Sequence, residues 1–174
     1  MEWNISRSPV REAVRVLVAE GLLQENGNGY EVFRPSLQDF HDLYEMRLAI
    51  EAMAARLAAE RIKEPTLVKL QENVEQTQRA VTTGDGPGII SYNTEFHLLI
   101  VESTDNSRLI HSFQSYTPLI DYYCLLVLTL NQQQTDIVTE HQAVVDALRA
   151  KQATVAYERM FLHIRHDLTV IERM

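Results

Sequence analysis

Hydrophobic side chains recur along this chain with a helical period, interrupted once by a short β-like stretch. Val10, Ala13, Val14, Leu17 and Val18 fall at spacings of three and four, which predicts one buried stripe on a first helix. Ser8-Pro9 predicts its start, because serine caps free amides and proline is tolerated at the first helical position. Gly21 suits its end. Leu22 to Val32 then reads as a β-hairpin, with LeuLeuGln on one arm, TyrGluValPhe on the other and a turn at AsnGlyAsnGly.

Pro35 closes that unit. Ser36 opens the next, with Asp39 at the third position of a capping box. From there to about Ile62, the positions of Leu37, Phe40, Leu43, Tyr44, Leu48, Ile50, Ala54 and Leu57 predict a long amphipathic helix. Further helices are predicted at about 65–82, 88–103, 106–130, 135–150 and 152–173, with GlyAspGlyProGly (84–88) as a loop. Pro118 is expected to kink the helix at 106–130. Its run LIDYYCLLVLTL is apolar on most sides, which predicts a place at the centre of a bundle or at a dimer interface. The expected fold is mainly α: an antiparallel bundle of about six helices over 36–174, preceded by the helix and hairpin of 1–34.

Composition narrows the function. An apolar share of 45% is enough for a core. No window approaches the apolar length of a membrane span, and the start MEWNISRS carries no signal peptide, so a cytoplasmic protein without membrane partners is expected. The single cysteine, Cys124, excludes an internal disulfide and reads as a small core residue. A net charge of -8 argues against non-specific coating of nucleic acid. Residues 1–34 hold four arginines against five acids, close to neutral, so any DNA contact is local and the acidity lies in the rest.

Two sets of side chains carry candidate chemistry. Arg7, Arg11 and Arg15 lie at intervals of four and share a helix face, with Ser6 and Ser8 beside them. Such a helix start can enter a major groove and meet phosphates and guanine edges. The same pattern also describes a solvated basic face paired with Glu12 and Glu20. The histidines stand at 41, 97, 111, 141, 163 and 166. Asn93 and His97 are one helical turn apart, and His141 and His163 fall on two later helices. Three imidazoles with one oxygen donor suit zinc, nickel or manganese; scattered histidines also occur as ordinary structural residues. Di-iron bundles require Glu-x-x-His, and none of these histidines has glutamate three positions earlier, so an enzyme is not expected. His166 is expected on the outer side of the last helix, and His41 and His111 carry no motif.

The run SRSPVREAVRVLVAEGLL with its glycine turn resembles the recognition helix and wing of the GntR superfamily of winged helix-turn-helix regulators, in particular the FadR-type branch. Residues 36–173 are similar to the FCD ligand-binding domain of that branch. The similarity rests on MetArgLeuAlaIleGluAlaMetAlaAla (46–55), Asn93-Thr-Glu-Phe-His97, Asp105-Asn106, Glu140-His141-Gln-Ala-Val-Val-Asp-Ala-Leu and Ala156 seven residues before His163. The resemblance implies a homodimeric repressor that binds operator DNA through Ser6, Arg7, Ser8 and Arg11, with Gly27 at the wing tip. It implies a divalent metal on Asn93, His97, His141 and His163, where the family more often has aspartate at the first position. It implies that Arg47 reaches an effector carboxylate; pairing of Arg47 with Glu51 on the surface is the alternative. About six helices match the VanR-like subgroup and so a small carboxylate effector rather than acyl-CoA. A metabolite-binding module acting through protein partners is the alternative function.

The resemblance also implies two helices and a strand ahead of Ser6, whereas Met1 stands only five residues before it. This chain alone is therefore expected to bind operator DNA weakly or not at all. A mobility-shift assay giving a specific complex at nanomolar protein would overturn that expectation.

Overall fold

The computed structural model describes residues 6–130 and 136–172, with the backbone alone described at 128–130. The chain divides into two compact units, Met1–Pro35 and Ser36–Met174.

The first unit is α1 (Arg7–Ala19) followed by the strands β1 (Leu23–Asn26) and β2 (Gly29–Val32). Ser6, not Ser8, occupies the capping position, and its side chain makes no capping hydrogen bond. Pro9 is then the third helical residue. It still lies in the first turn, where no N–H has an intrahelical acceptor, so its ring removes no hydrogen bond. Gly21 takes the left-handed conformation (φ 76°). Its N–H donates to the Val18 carbonyl at 3.1 Å, and that of Leu22 to Leu17 at 2.9 Å, closing the helix end. The strands pair antiparallel with Asn26 opposite Gly29, leaving Gly27-Asn28 as a two-residue loop. The Asn26 side chain accepts from the Asn28 N–H at 3.0 Å and holds the turn.

The expected stripe on α1 is only partly covered. No residue of the helix is buried. Val14 and Leu17 are half-buried, while Val10 (51%), Val16 (46%) and Val18 (37%) are exposed. Among the described residues of this unit only the hairpin packs on α1, and a two-stranded ribbon is too narrow to cover a whole helix face.

The second unit holds α2 (Leu37–Arg61), α3 (Glu64–Thr83), α4 (Gly86–Glu102), α5 (Ser107–Leu130), α6 (Asp136–Arg149) and α7 (Ala153–Glu172). The capping box forms as its residue types require: Ser36 Oγ accepts from the Asp39 N–H at 3.3 Å, and Asp39 Oδ2 accepts from the Ser36 N–H at 2.7 Å. The glycine-rich loop is shorter than expected, because α4 begins at Gly86 and is capped by Asp85, whose Oδ1 accepts from the Gly88 N–H at 3.1 Å. A Cβ on Gly88 would stand 2.3 Å from Asp85 Oδ2, so only glycine leaves the cap its room.

α2 is the central helix. It packs along α7 and also touches α4, α5 and α6. Its buried stripe runs Phe40, Leu43 and Tyr44, then Arg47 and Glu51, then Ala54, Ala55, Ala58 and Ala59. Leu37 is 52% exposed and lies off that stripe, contrary to expectation. α5 is not central: it packs on α4 and α2, burying Phe113, Ile120, Tyr123 and Val127 while Tyr116 and Leu125 stay exposed. The side chains of Leu128, Thr129 and Leu130, which end its apolar run, lie outside the described residues. Pro118 sits inside α5 without ending it. Among the described residues no helix is long and apolar enough to cross a membrane.

Ser36→Ala removes a cap at the start of the central helix. It is expected to lower the stability of the bundle by about 1 kcal/mol in urea unfolding, whereas Leu37→Ala at the exposed neighbour changes it by less than about 0.5 kcal/mol.

Candidate metal centre

On α2, α4, α6 and α7 charged, amide or imidazole side chains occupy core positions, as Asn73 and Thr77 do on α3. Arg47 and Glu51 continue the apolar stripe of α2. Asn93 and His97 stand among Ile89, Phe96 and Ile100 on α4. His141 precedes Val144, Val145 and Leu148 on α6. His163 lies between Met160 and Ile164 on α7. The spacing of three and four therefore aims all four helices' polar groups into the same interior.

His97, His141 and His163 meet there, with their candidate ligand nitrogens within 4.8 Å of one another. All three are buried, and His141 has no exposed surface. The Nε2 atoms of His97 and His163 face each other at 3.2 Å. The His141 ring stacks on Phe96 with centroids 3.7 Å apart, and neither of its nitrogens has a hydrogen-bond partner. An unpartnered buried nitrogen carries a full desolvation cost, and a metal ion is one group that would relieve it. The donor set of three imidazoles thus fits a divalent transition metal. Asn93 is buried on the same stripe one turn before His97, but its amide nitrogen donates to Cys124 Sγ at 3.7 Å.

Carboxylates stand behind two of the rings. Glu51 Oε2 lies 2.5 Å from His97 Nδ1, without hydrogen-bond alignment. The other Glu51 oxygen accepts from Arg47 Nε at 2.7 Å. Glu140 Oε2 accepts from His163 Nδ1 at 2.8 Å, and its Oε1 accepts from His166 Nδ1 at 2.6 Å. Burial opposes the charge on Glu51, but the Arg47 guanidinium with its hydrogen bond, and His97 beside it, outweigh that and hold its carboxyl down at about 2. Burial opposes the charge on Glu140 as well, and the hydrogen bonds and charges of His163 and His166 prevail and lower it. Burial lowers both His97 and His141, with Glu51 opposing it at His97 and the neighbouring histidines adding to it at His141. Both rings are neutral near pH 7, the form a metal takes.

Arg47 corrects the surface reading of its pairing with Glu51. It pairs with Glu51, but the pair is 1% exposed and not on the surface. Burial opposes its charge and Glu51 restores it. Its guanidinium lies 4.9 Å from the Tyr44 ring centre, its Nη1 is 3.8 Å from Asp167, and its Nη2 is buried without a partner. Cys124 has its thiol pushed up to about 12 by burial, so it stays protonated.

The sequence did not single out Glu51, Glu140 or His166 as site residues. Glu51 was legible in principle, because it continues the stripe Phe40, Tyr44, Arg47, Glu51, Ala55, Ala58, where a charge is out of place. Nothing local marks Glu140, whose partners come from another helix. The other predicted residues lie in the first unit. Ser6, Arg7, Ser8 and Arg11 are exposed at the start of α1, and Arg15 is paired only with Glu12 at 3.8 Å across an exposed face. A Cβ at Gly27 would meet nothing within 4 Å.

A six-helix bundle with three histidines converging in its core defines the class of helical domains with a candidate metal centre. The FCD domain family matches residues 42–166, and the chain belongs to that family. Its relatives are transcription regulators, as the GntR-type resemblance in the sequence implies. It is 29% identical over 167 residues to an uncharacterized HTH-type transcriptional regulator, YdhC, of Bacillus subtilis, covering 95% of this chain and 75% of that protein. It is 23% identical over 155 residues to the gluconate operon transcriptional repressor of Bacillus subtilis, covering 86% of this chain and 64% of that protein. The fold is that of Escherichia coli McbR/YncC, with a TM-score of 0.84 at 23% identity over 97% of this chain and 81% of the other.

The lowered histidines set a pH dependence for the metal-stripped protein. Unfolded histidine takes up protons near pH 6.5, while folded His97 and His141 resist doing so. Below about pH 6.5 the unfolded state binds more protons, so stability falls as the pH drops. A thermal melt series on chelator-treated protein checks this; His141→Gln should flatten the slope.

Proposed function

We propose that this chain is the effector-sensing bundle, with part of the DNA-reading element, of a cytoplasmic, homodimeric, non-enzymatic repressor of the VanR-like kind. The observation that carries the reading is the buried histidine triad with His141 unpartnered inside an FCD domain. His97, His141 and His163, with the Asn93 amide oxygen as a fourth donor, would hold zinc, nickel or manganese. Such an ion would supply positive charge that holds and polarises an oxygen of an anionic effector. Asn93 brings no negative charge, so a filled site stays more electropositive and favours a small carboxylate.

Arg47 supports the same ligand chemistry in a restricted way. Its Nε is occupied by Glu51 and its Nη1 faces Asp167, which leaves the unpartnered Nη2 for a carboxylate oxygen and not the two-pronged grip that a free arginine offers. In the first unit, exposed Ser6, Arg7, Ser8 and Arg11 offer hydroxyl and guanidinium donors to operator DNA at the start of one helix, with Gly27 in the two-residue hairpin turn as the wing tip. Control follows if the effector binds one dimer geometry better than the other.

Elemental analysis of protein purified without chelator is expected to give stoichiometric metal that His141→Ala loses. Gluconate, chosen for the gluconate operon repressor among the relatives, is expected to raise the melting temperature of the loaded protein and less so that of Arg47→Met. Absence of stoichiometric metal in the parent would end the metal reading and leave the histidines as direct effector contacts.

A further inference from the structure

Glu140 stands next to His141 on α6, and one turn of α7 presents His163 and His166 to it. Its two oxygens are divided between those two rings, 2.8 Å from His163 Nδ1 and 2.6 Å from His166 Nδ1. An ionised carboxylate can only accept, so both Nδ1 atoms are donors. A neutral imidazole carries one N–H. With that proton on Nδ1, the His163 Nε2 is a lone pair, and it is this atom that faces His97 Nε2 at 3.2 Å.

We propose that Glu140 is a positioning residue of the metal centre: with His166 anchoring its outer oxygen, it fixes the His163 ring so that the Nε2 lone pair points into the triad. The inference rests on the metal reading of the site. His163 is 2% exposed, and without Glu140 its Nδ1–H would lose its partner in the core. The ring would then turn about its last torsion or move its proton to Nε2, and either change removes the inward lone pair. A carboxylate held at one oxygen still swivels; held at both, it does not. His166, with 40% of its side chain exposed, supplies the second hold from the surface side of α7. An outer carboxylate of this kind raises the basicity of a ligating imidazole and selects its tautomer.

A merely structural tie between α6 and α7 would change stability and leave the tautomer alone, so the test reads tautomer and metal affinity in folded protein. Nitrogen-15 side-chain NMR of the metal-stripped parent is expected to show His163 protonated on Nδ1. In Glu140→Ala the proton appears on Nε2 or on both positions, and zinc affinity, measured by competition with a chromophoric chelator, falls about 10–100-fold. Glu140→Gln keeps an acceptor oxygen, so it retains the tautomer and loses less affinity than Glu140→Ala. His166→Ala, at a part-exposed site that does not endanger folding, weakens zinc by a few-fold and blurs the His163 signal. Glu158→Ala, exposed on the same helix, changes neither. An Nε2–H tautomer in the parent overturns the inference, as does zinc binding of parental strength in folded Glu140→Ala. If the parent takes up no zinc, the metal reading fails on its own, and the tautomer comparison still decides whether Glu140 orients His163.

Discussion

One continuous line of polar contacts runs through the core of the bundle, and the other helices arrange themselves around it. Arg47 reaches Glu51, Glu51 stands against His97, His97 faces His163, and His163 is held by Glu140, which ends at His166 near the surface. The line joins α2 to α4, α4 to α7, and α7 to α6. In a dry interior each of these groups is costly alone and tolerable only when its neighbours satisfy it. Removing one member strands the next, which ties the mutual placement of four helices to the chemistry of five or six side chains.

His141 stands beside that line and is not part of it. Its ring lies flat on Phe96 inside the triad, yet neither nitrogen is satisfied. Such a group carries its desolvation cost until something pairs with it. The same holds for the free Nη2 of Arg47. Among the described residues, buried polar atoms of Arg47, Glu51, His97 and His141 are left without a hydrogen-bond partner around the triad, and Asn73 has one such atom on α3.

The two units differ in how far their own sequences satisfy them. The bundle buries its stripes; the first unit leaves Val10, Val16 and Val18 exposed, since among its described residues a two-stranded ribbon alone packs on the helix. The same helix presents arginines on another face, so the unit has an apolar side lacking an apolar partner and a basic side suited to an acidic one.

Much of this was legible in the chain itself. Alternation and spacing of apolar residues, Ser36 with Asp39, Gly21 and Asn26-Gly27 located the helices, caps and turn to within a residue or two, because those features depend on neighbours a few positions apart. Ser8 misled, since it stands next to Pro9, whereas the helix begins two residues before that proline, at Arg7, with Ser6 at the cap. Leu37, Leu48 and Ile50 were assigned to a buried face on apolarity alone, while Arg47 and Glu51 hold the stripe positions. The family resemblance implied Asn93, His97, His141 and His163 as one set, of which the three histidines meet and Asn93 donates to Cys124. That His97 and His163 face each other, that His141 is left without a partner and that Glu140 spans two histidines were decided only by how α2, α4, α6 and α7 pack. Periodicity states which face of a helix is inward. It carries no information about which other helix that face will meet, and the chemistry of this core lies in those meetings.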